Sequence, residues 1–131
     1  MMEIGRNYGK GPTKRKNIAE LQAVSDSYLE NILIVLKSAG LIETIRGARG
    51  GYVLTRAPDQ ITMLDIISAL EGSLAPVECL DKPEICDRVG NCPTREVWVK
   101  LLKVQKKVLR ESTVQDLLER ERNMQSPDYV I

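Results

Sequence analysis

Arg46-Gly47-Ala48-Arg49-Gly50-Gly51-Tyr52 packs two arginines and three glycines into seven residues, between the short apolar runs Leu41-Ile42 and Val53-Leu54. Glycine permits the sharp turns that other residues resist. Two apolar runs joined by a Gly-rich link predict a β-hairpin over roughly Leu41 to Thr55. Arginines at such a tip suit DNA, because phosphates and a narrow minor groove both attract guanidinium groups.

The residues before the hairpin read as a helix-turn-helix. Met1 to Tyr8 predicts the end of a helix, with Met1, Ile4 and Tyr8 on one face, stopped by Gly9-Lys10-Gly11-Pro12. Thr13 is the expected cap of a second helix over Lys14 to Gln22, with Ile18 and Leu21 inward. Ala23-Val24 forms the turn, Ala19 is the small residue at the helix crossing, and Ser25 is a good N-cap for a third helix over Asp26 to Ala39. Leu29, Ile32, Leu33 and Leu36 follow helical spacing, and Gly40 ends the run. Such motifs often carry Gly at the turn, where this chain has Ala23. The exposed start of the third helix would face the major groove. There Ser25, Ser27, Tyr28, Glu30 and Asn31 are candidates: Glu accepts from cytosine N4 and Asn pairs with adenine. Lys14, Arg15, Lys16, Tyr28 and Lys37 suit phosphates. Arg46, beside Gly47, is the better candidate for minor-groove entry, with Arg49 near it. The bland alternative is a solvated helix face and a charged turn on an ordinary small helical domain; a wing directly after the third helix argues against it.

Downstream, Thr62 starts a short helix through Leu70, with Leu64, Ile67 and Leu70 as core candidates, ended by Gly72. Gly72 to Pro93 is a loop holding Pro76, Pro83, Pro93 and all three cysteines; a structureless stretch of this length suggests function or disorder. Thr94 is the expected cap of a long helix to about Glu111. Its stripe of Val97, Leu101, Val104 and Val108, widened by Trp98, Leu102 and Leu109, is broader than one packed helix needs and predicts an oligomer contact. Ser112-Thr113-Val114-Gln115 resembles a capping box for a last helix to about Arg122, followed by a frayed tail after Asn123. The fold class is mainly α with a small β-hairpin wing, in three segments: 1–58 for DNA binding, 59–93 for a connecting helix and sensor loop, and 94–131 for dimerisation.

Charge follows the same division. The whole chain of 131 residues is net +1. Residues 1–58 carry nine Lys/Arg against five Asp/Glu, residues 59–93 two against seven, and residues 94–131 eight against six. The basic block is the one with the DNA-reading pattern. No apolar run is long enough for a membrane span, no signal peptide is visible, and the chain reads as cytoplasmic. It has no His, no nucleophile elbow and no phosphate-cradling loop, which argues against an enzyme.

Cys79, Cys86 and Cys92 are spaced C-x6-C-x5-C. Three thiols cannot all pair within one chain, and in a Pro-rich acidic loop they look like a ligand set. Soft thiolates suit iron–sulfur clusters and zinc. A cluster normally takes four protein ligands; Glu78, Asp81, Glu84 and Asp87 are nearby oxygen donors. A thiol redox pair and functionless free thiols are the alternatives.

Tyr28-Leu29-Glu30, Leu36-Lys37-Ser38-Ala39-Gly40-Leu41, the 46–52 run and Cys92-Pro93-Thr94-Arg95-Glu96-Val97-Trp98 resemble the Rrf-type family of bacterial winged helix-turn-helix regulators, which includes the IscR, NsrR, RirA and CymR types. The resemblance covers nearly the whole chain. It implies a homodimer joined by the long C-terminal helix on a pseudo-palindromic DNA operator, with Ser27, Glu30 and Asn31 reading bases and Arg46 entering the minor groove. It also implies an iron–sulfur cluster, of the 2Fe–2S kind, on Cys79, Cys86 and Cys92. Two departures stand out. The family usually has a further N-terminal basic arm and helix start, whereas this chain opens at Met1-Met2-Glu3-Ile4. The IscR type has a His three residues after the last cysteine, where this chain has Arg95. The resemblance thus predicts a transcription regulator sensing cluster status, redox state or nitric oxide. The competing readings are a small electron-transfer or cluster-carrier protein, and a cluster-free regulator under partner or thiol control.

Overall fold

The computed structural model describes residues 1–126. Six helices and one hairpin follow in the order α1 (Met2–Arg6), α2 (Arg15–Gln22), α3 (Asp26–Ser38), β1 (Ile42–Ile45), β2 (Gly51–Leu54), α4 (Met63–Glu71), α5 (Pro93–Arg110) and α6 (Val114–Gln125). Short 3-10 turns at Pro58–Gln60, Glu78–Leu80, Pro83–Ile85 and Val89–Asn91 fill the links.

The buried core joins every part of the chain. Ile4 of α1, Ile18 and Ala19 of α2, and Leu29, Leu33 and Leu36 of α3 meet Leu41, Ile42 and Leu54 of the hairpin. Ile61, Ile66, Val114 and Leu118 complete the cluster. With no Phe in the chain, this core is aliphatic, as its composition requires.

The turn between α2 and α3 is made by Ala23 at φ 51°, ψ 41°. That left-handed conformation is unfavourable for a residue with a Cβ, so the departure from Gly is held in place by its neighbours. Val24 N donates to Ala19 O at 3.1 Å. Ser25 caps α3 as its spacing predicts, accepting from Tyr28 N at 3.2 Å.

β1 and β2 pair antiparallel, from Ile42 opposite Leu54 to Ile45 opposite Gly51. Thr13 does not cap α2; the N-cap is Lys14. Thr13 instead exchanges two 2.9 Å backbone hydrogen bonds with Tyr52, so the wing is stitched to the start of α2. Gly51 is required there, because a Cβ would stand 2.5 Å from the Thr13 carbonyl oxygen.

α4 and α6 begin side by side. Met63 N donates to Ser112 O at 2.7 Å, and Val114 N to Ile61 O at 2.9 Å. Both helices open on a capping box, Thr62 with Asp65 and Thr113 with Asp116. The second box therefore lies one residue later than Ser112 with Gln115. Val114 is fully buried, and that burial fixes the register. The Thr62 N–H and hydroxyl bonds and the Arg56 charge hold the Asp65 carboxylate below its ordinary value, outweighing burial, which acts first and in the opposite direction. Asp116 is lowered by the Thr113 backbone and side-chain bonds.

Several side chains depart from the predicted faces. Leu21 is 68% exposed, Tyr8 47% and Leu70 36%. Ile66, rather than Leu64 or Ile67, enters the core from α4, which packs against both α3 and α5. α5 starts at Pro93 with Cys92 as its N-cap residue, not at Thr94; proline is well suited to the first helical position. α6 continues past Asn123 to Gln125, and the rest of the expected tail lies outside the described residues.

Candidate functional site

The third helix presents its polar side outward. Burial of Leu29, Leu33 and Leu36 sets the rotation of α3, so Ser27, Tyr28, Glu30 and Asn31 are all exposed. Asp26 in its first turn complements the helix dipole. Ser25 is exposed, but its hydroxyl already serves as the cap. Ile34, 57% exposed, follows Ser27, Glu30 and Asn31 on the same face; sequence reading missed it because an isoleucine at helical spacing is ordinarily core.

The wing carries its arginines at the tip. Arg46 and Arg49 lie in the turn between β1 and β2, both exposed. A tight Gly50 N to Gly47 O hydrogen bond of 3.0 Å closes the turn. Lys14 and Lys16 are exposed at the start of α2, where the Thr13–Tyr52 bridge brings the wing alongside. The start of α2 thus touches both neighbours, the wing through Thr13 and Tyr52 and the polar side of α3 through Arg15.

Arg15 behaves differently from its lysine neighbours. Its Nη2 lies 2.8 Å from Asp26 Oδ2 and its Nη1 2.9 Å from Glu30 Oε1. Nε donates to Asp26 Oδ1 at 2.8 Å. The carboxylates hold the Arg15 charge more firmly still, the Asp26 bond contributing most. Spacing alone could not reveal this, since the partners lie on another helix. α1 is tied to α6 in a similar way, with Arg6 paired to both Glu3 and Glu121.

α5 leaves an apolar stripe uncovered. Val97, Leu101, Val104 and Val108 are 59, 48, 60 and 58% exposed, while Trp98, Leu102 and Leu109 are half-buried. Leaving four aliphatic side chains this open in one row disfavours the isolated chain.

The cysteines lie in the link between α4 and α5. Cys79 sits in the Glu78–Leu80 turn, Cys86 after the Pro83–Ile85 turn, and Cys92 at the N-terminus of α5. All three are free thiols, Cys86 exposed and the others half-buried. The Thr94 hydroxyl, 3.2 Å from Cys92 Sγ, leads the groups that hold this thiol below its ordinary range, with the Arg95 backbone N–H next. Among the described residues, no three Cys, Asp or Glu side chains converge as a metal-binding group. Arg95 Nε is buried without a hydrogen-bond partner among the described residues. No helix of the described residues is long and apolar enough to cross a membrane.

Comparison with known proteins agrees with this architecture. The family model for Rrf2, described as "Iron-dependent Transcriptional regulator", matches residues 1–120. The chain is 43% identical over 117 residues to the HTH-type transcriptional regulator CymR of Bacillus subtilis, covering 89% of this chain and 80% of that protein. It is 36% identical over 118 residues to Protein rrf2 of Nitratidesulfovibrio vulgaris, covering 90% and 79%. The solved structure of CymR, "the Global Cysteine Regulator of B. subtilis", superposes with TM-score 0.75 at 40% identity, covering 91% of this chain and 87% of that one. That of T. potens IscR superposes with TM-score 0.78 at 37% identity, covering 95% and 82%. The chain belongs to the Rrf2 family, and is a dimeric, DNA-binding winged helix-turn-helix regulator of transcription rather than an enzyme.

Proposed function

We propose that this regulator reads its operator with α3 and the wing, and senses through the loop of Cys79, Cys86 and Cys92. The observation that carries the first half is the exposure of Ser27, Glu30 and Asn31 along one side of α3 together with that of Arg46 and Arg49 at the wing tip. Ser27, Glu30 and Asn31 address base edges in the major groove. Arg46 enters the adjacent minor groove. Lys14, Lys16, Tyr28 and Arg49 contact phosphates, and Ser25 fixes the helix start that aims the others.

The segments divide the work: 1–58 binds DNA, 59–93 senses, and 94–131 dimerises. Two copies bury the Val97, Trp98, Leu101, Val104 and Val108 face of α5 against each other. Half-sites lie about one helical turn apart, so a small change in the relative placement of the two α3 helices changes affinity. A coupling of about 1–3 kcal/mol corresponds to roughly 5- to 150-fold regulation.

The sensor reading rests on donor chemistry. Three thiols on one acidic loop fit an iron–sulfur cluster, and the buried, unpartnered Arg95 Nε beside Cys92 fits a nearby anionic group. Cys79, Cys86 and Cys92 would hold a 2Fe–2S cluster, with the loop drawing together to do so. When bound, such a group supplies an iron centre responsive to oxidants or nitric oxide. The family description as iron-dependent supports the same reading. The Pro-rich loop, half-buried at Cys79 and Cys92 and open at Cys86, is the element whose ordering reaches α5 directly, because Cys92 is the first residue of that junction.

Anaerobic purification from iron-replete cells, with visible absorption and iron and sulfide analysis, tests this half. Matching iron and sulfide, lost in Cys92→Ala, is the expected result. A colourless, iron-free protein would refute cluster sensing and leave thiol or partner control.

A further inference from the structure

We propose that Arg15 is a positioning residue for base reading: its guanidinium, reaching from α2, holds Glu30 on the DNA-facing side of α3 and thereby sets the preference that Glu30 imposes. The proposal rests on the base-reading role given to Glu30 above. Three nitrogens of one guanidinium are engaged: Nε and Nη2 with the two oxygens of Asp26, and Nη1 with Glu30 Oε1. The bidentate grip on Asp26 fixes the plane of the fork, and the fixed fork offers Nη1 in one direction only. Glu30 is therefore held by its Oε1, while no bond engages Oε2 among the described residues. Oε2 is left as the acceptor for a base amine.

Charge requires such a partner. Asp26 and Glu30 are four residues apart on one helix, a repulsive like-charge pair. Both side chains are about half exposed, at 56 and 50%, against 34% for Arg15. Facing phosphates, two unpartnered carboxylates would oppose binding to any sequence. Arg15 cancels one of the two charges and crosses from one helix of the motif to the other. A guanidinium so engaged is not a free cation for phosphate, which separates Arg15 from Lys14 and Lys16. Lysine keeps the charge but cannot grip two carboxylates with a planar fork.

The test uses the full chain and a duplex recovered by the wild-type protein from a randomised pool, with its single-base variants and an unrelated duplex. Base preference is read as the ratio of two affinities on one protein sample, so partial misfolding of a variant cancels. Glu30→Gln is expected to cut the preference at one base position about five-fold, the lower end for one good base contact. Arg15→Lys is expected to lose preference at that same position while retaining affinity for the unrelated duplex and its salt dependence. The double variant should be no less selective than Glu30→Gln alone. Wild-type preference in Arg15→Lys would overturn the proposal, as would a loss spread evenly over all positions and the unrelated duplex. If Glu30→Gln changes no base preference, the reading of Glu30 itself falls and the role of Arg15 falls with it; that result is recognised without any Arg15 variant.

Discussion

Gly51→Ala should destabilise this protein by forcing the wing away from the start of α2. A Cβ there stands 2.5 Å from Thr13 O, 2.7 Å from Thr13 C and 3.1 Å from Lys14 N. These are backbone atoms, so no side-chain rotation relieves the clash. The wing must move away from α2, and the two 2.9 Å hydrogen bonds between Thr13 and Tyr52 are stretched or lost. Thr13 is only 5% exposed, so water replaces them poorly. Each bond contributes about 0.5–1.5 kcal/mol net, and overpacking costs about 1–3 kcal/mol. Since relaxing the clash is what breaks the bonds, the two do not add, and about 2–3 kcal/mol is expected. With an unfolding entropy of about 2.1 cal/mol/K per residue over 131 residues, that lowers Tm by roughly 7–11 °C. Thermal unfolding should be followed at fixed protein concentration, because dimerisation makes Tm depend on it. Gly90→Ala, where a Cβ meets nothing within 4 Å, is the control and should stay within about 0.5 kcal/mol. A Gly51→Ala protein as stable as that control would refute the stitched-wing reasoning.

Three further outcomes follow from the same geometry. Ala23→Gly should raise stability by about 0.5–1 kcal/mol in urea unfolding: relief of a left-handed Ala, about 1–2 kcal/mol, exceeds the added flexibility of the unfolded chain, about 0.4–1 kcal/mol. Asp65 and Asp116 have folded pKa values below the ordinary 3.8. Their contribution is therefore present above that value and lost as pH falls through the lower folded values; acid unfolding should lose part of its steepness in Asp65→Asn and Asp116→Asn, with unchanged curves in those variants contradicting the assignment. Leu101→Glu should leave the monomer fold intact by circular dichroism and abolish the dimer in sedimentation, since a 48% exposed leucine lies outside the core.

Local signals in the sequence carried most of the fold. Ser25 before a run of helical spacing, and glycines between two apolar pairs, act through neighbours in the chain, so α3 and the wing were legible. Phase on short helices was not. α2 has eight residues, and a three-residue spacing cannot tell whether Leu21 or Ala19 joins Ile18 inside. At α6, Ser112 and Thr113 are equivalent caps locally, and only the burial of Val114 chooses between them. The Arg15 contacts span eleven and fifteen positions, and depend on how two helices cross. The three cysteines were plain as a candidate ligand set, but spacing along a Pro-rich loop says nothing about whether their sulfurs converge.

Operator affinity measured across salt concentrations, for wild type and Arg46→Ala, tests the central claim most directly. The claim predicts a selected duplex bound far more tightly than an unrelated one. It also predicts affinity falling steeply with salt, and weaker operator binding in Arg46→Ala with a salt slope shallower by about one. Equal affinity for both duplexes, or an Arg46→Ala protein indistinguishable from wild type on the operator, would contradict it.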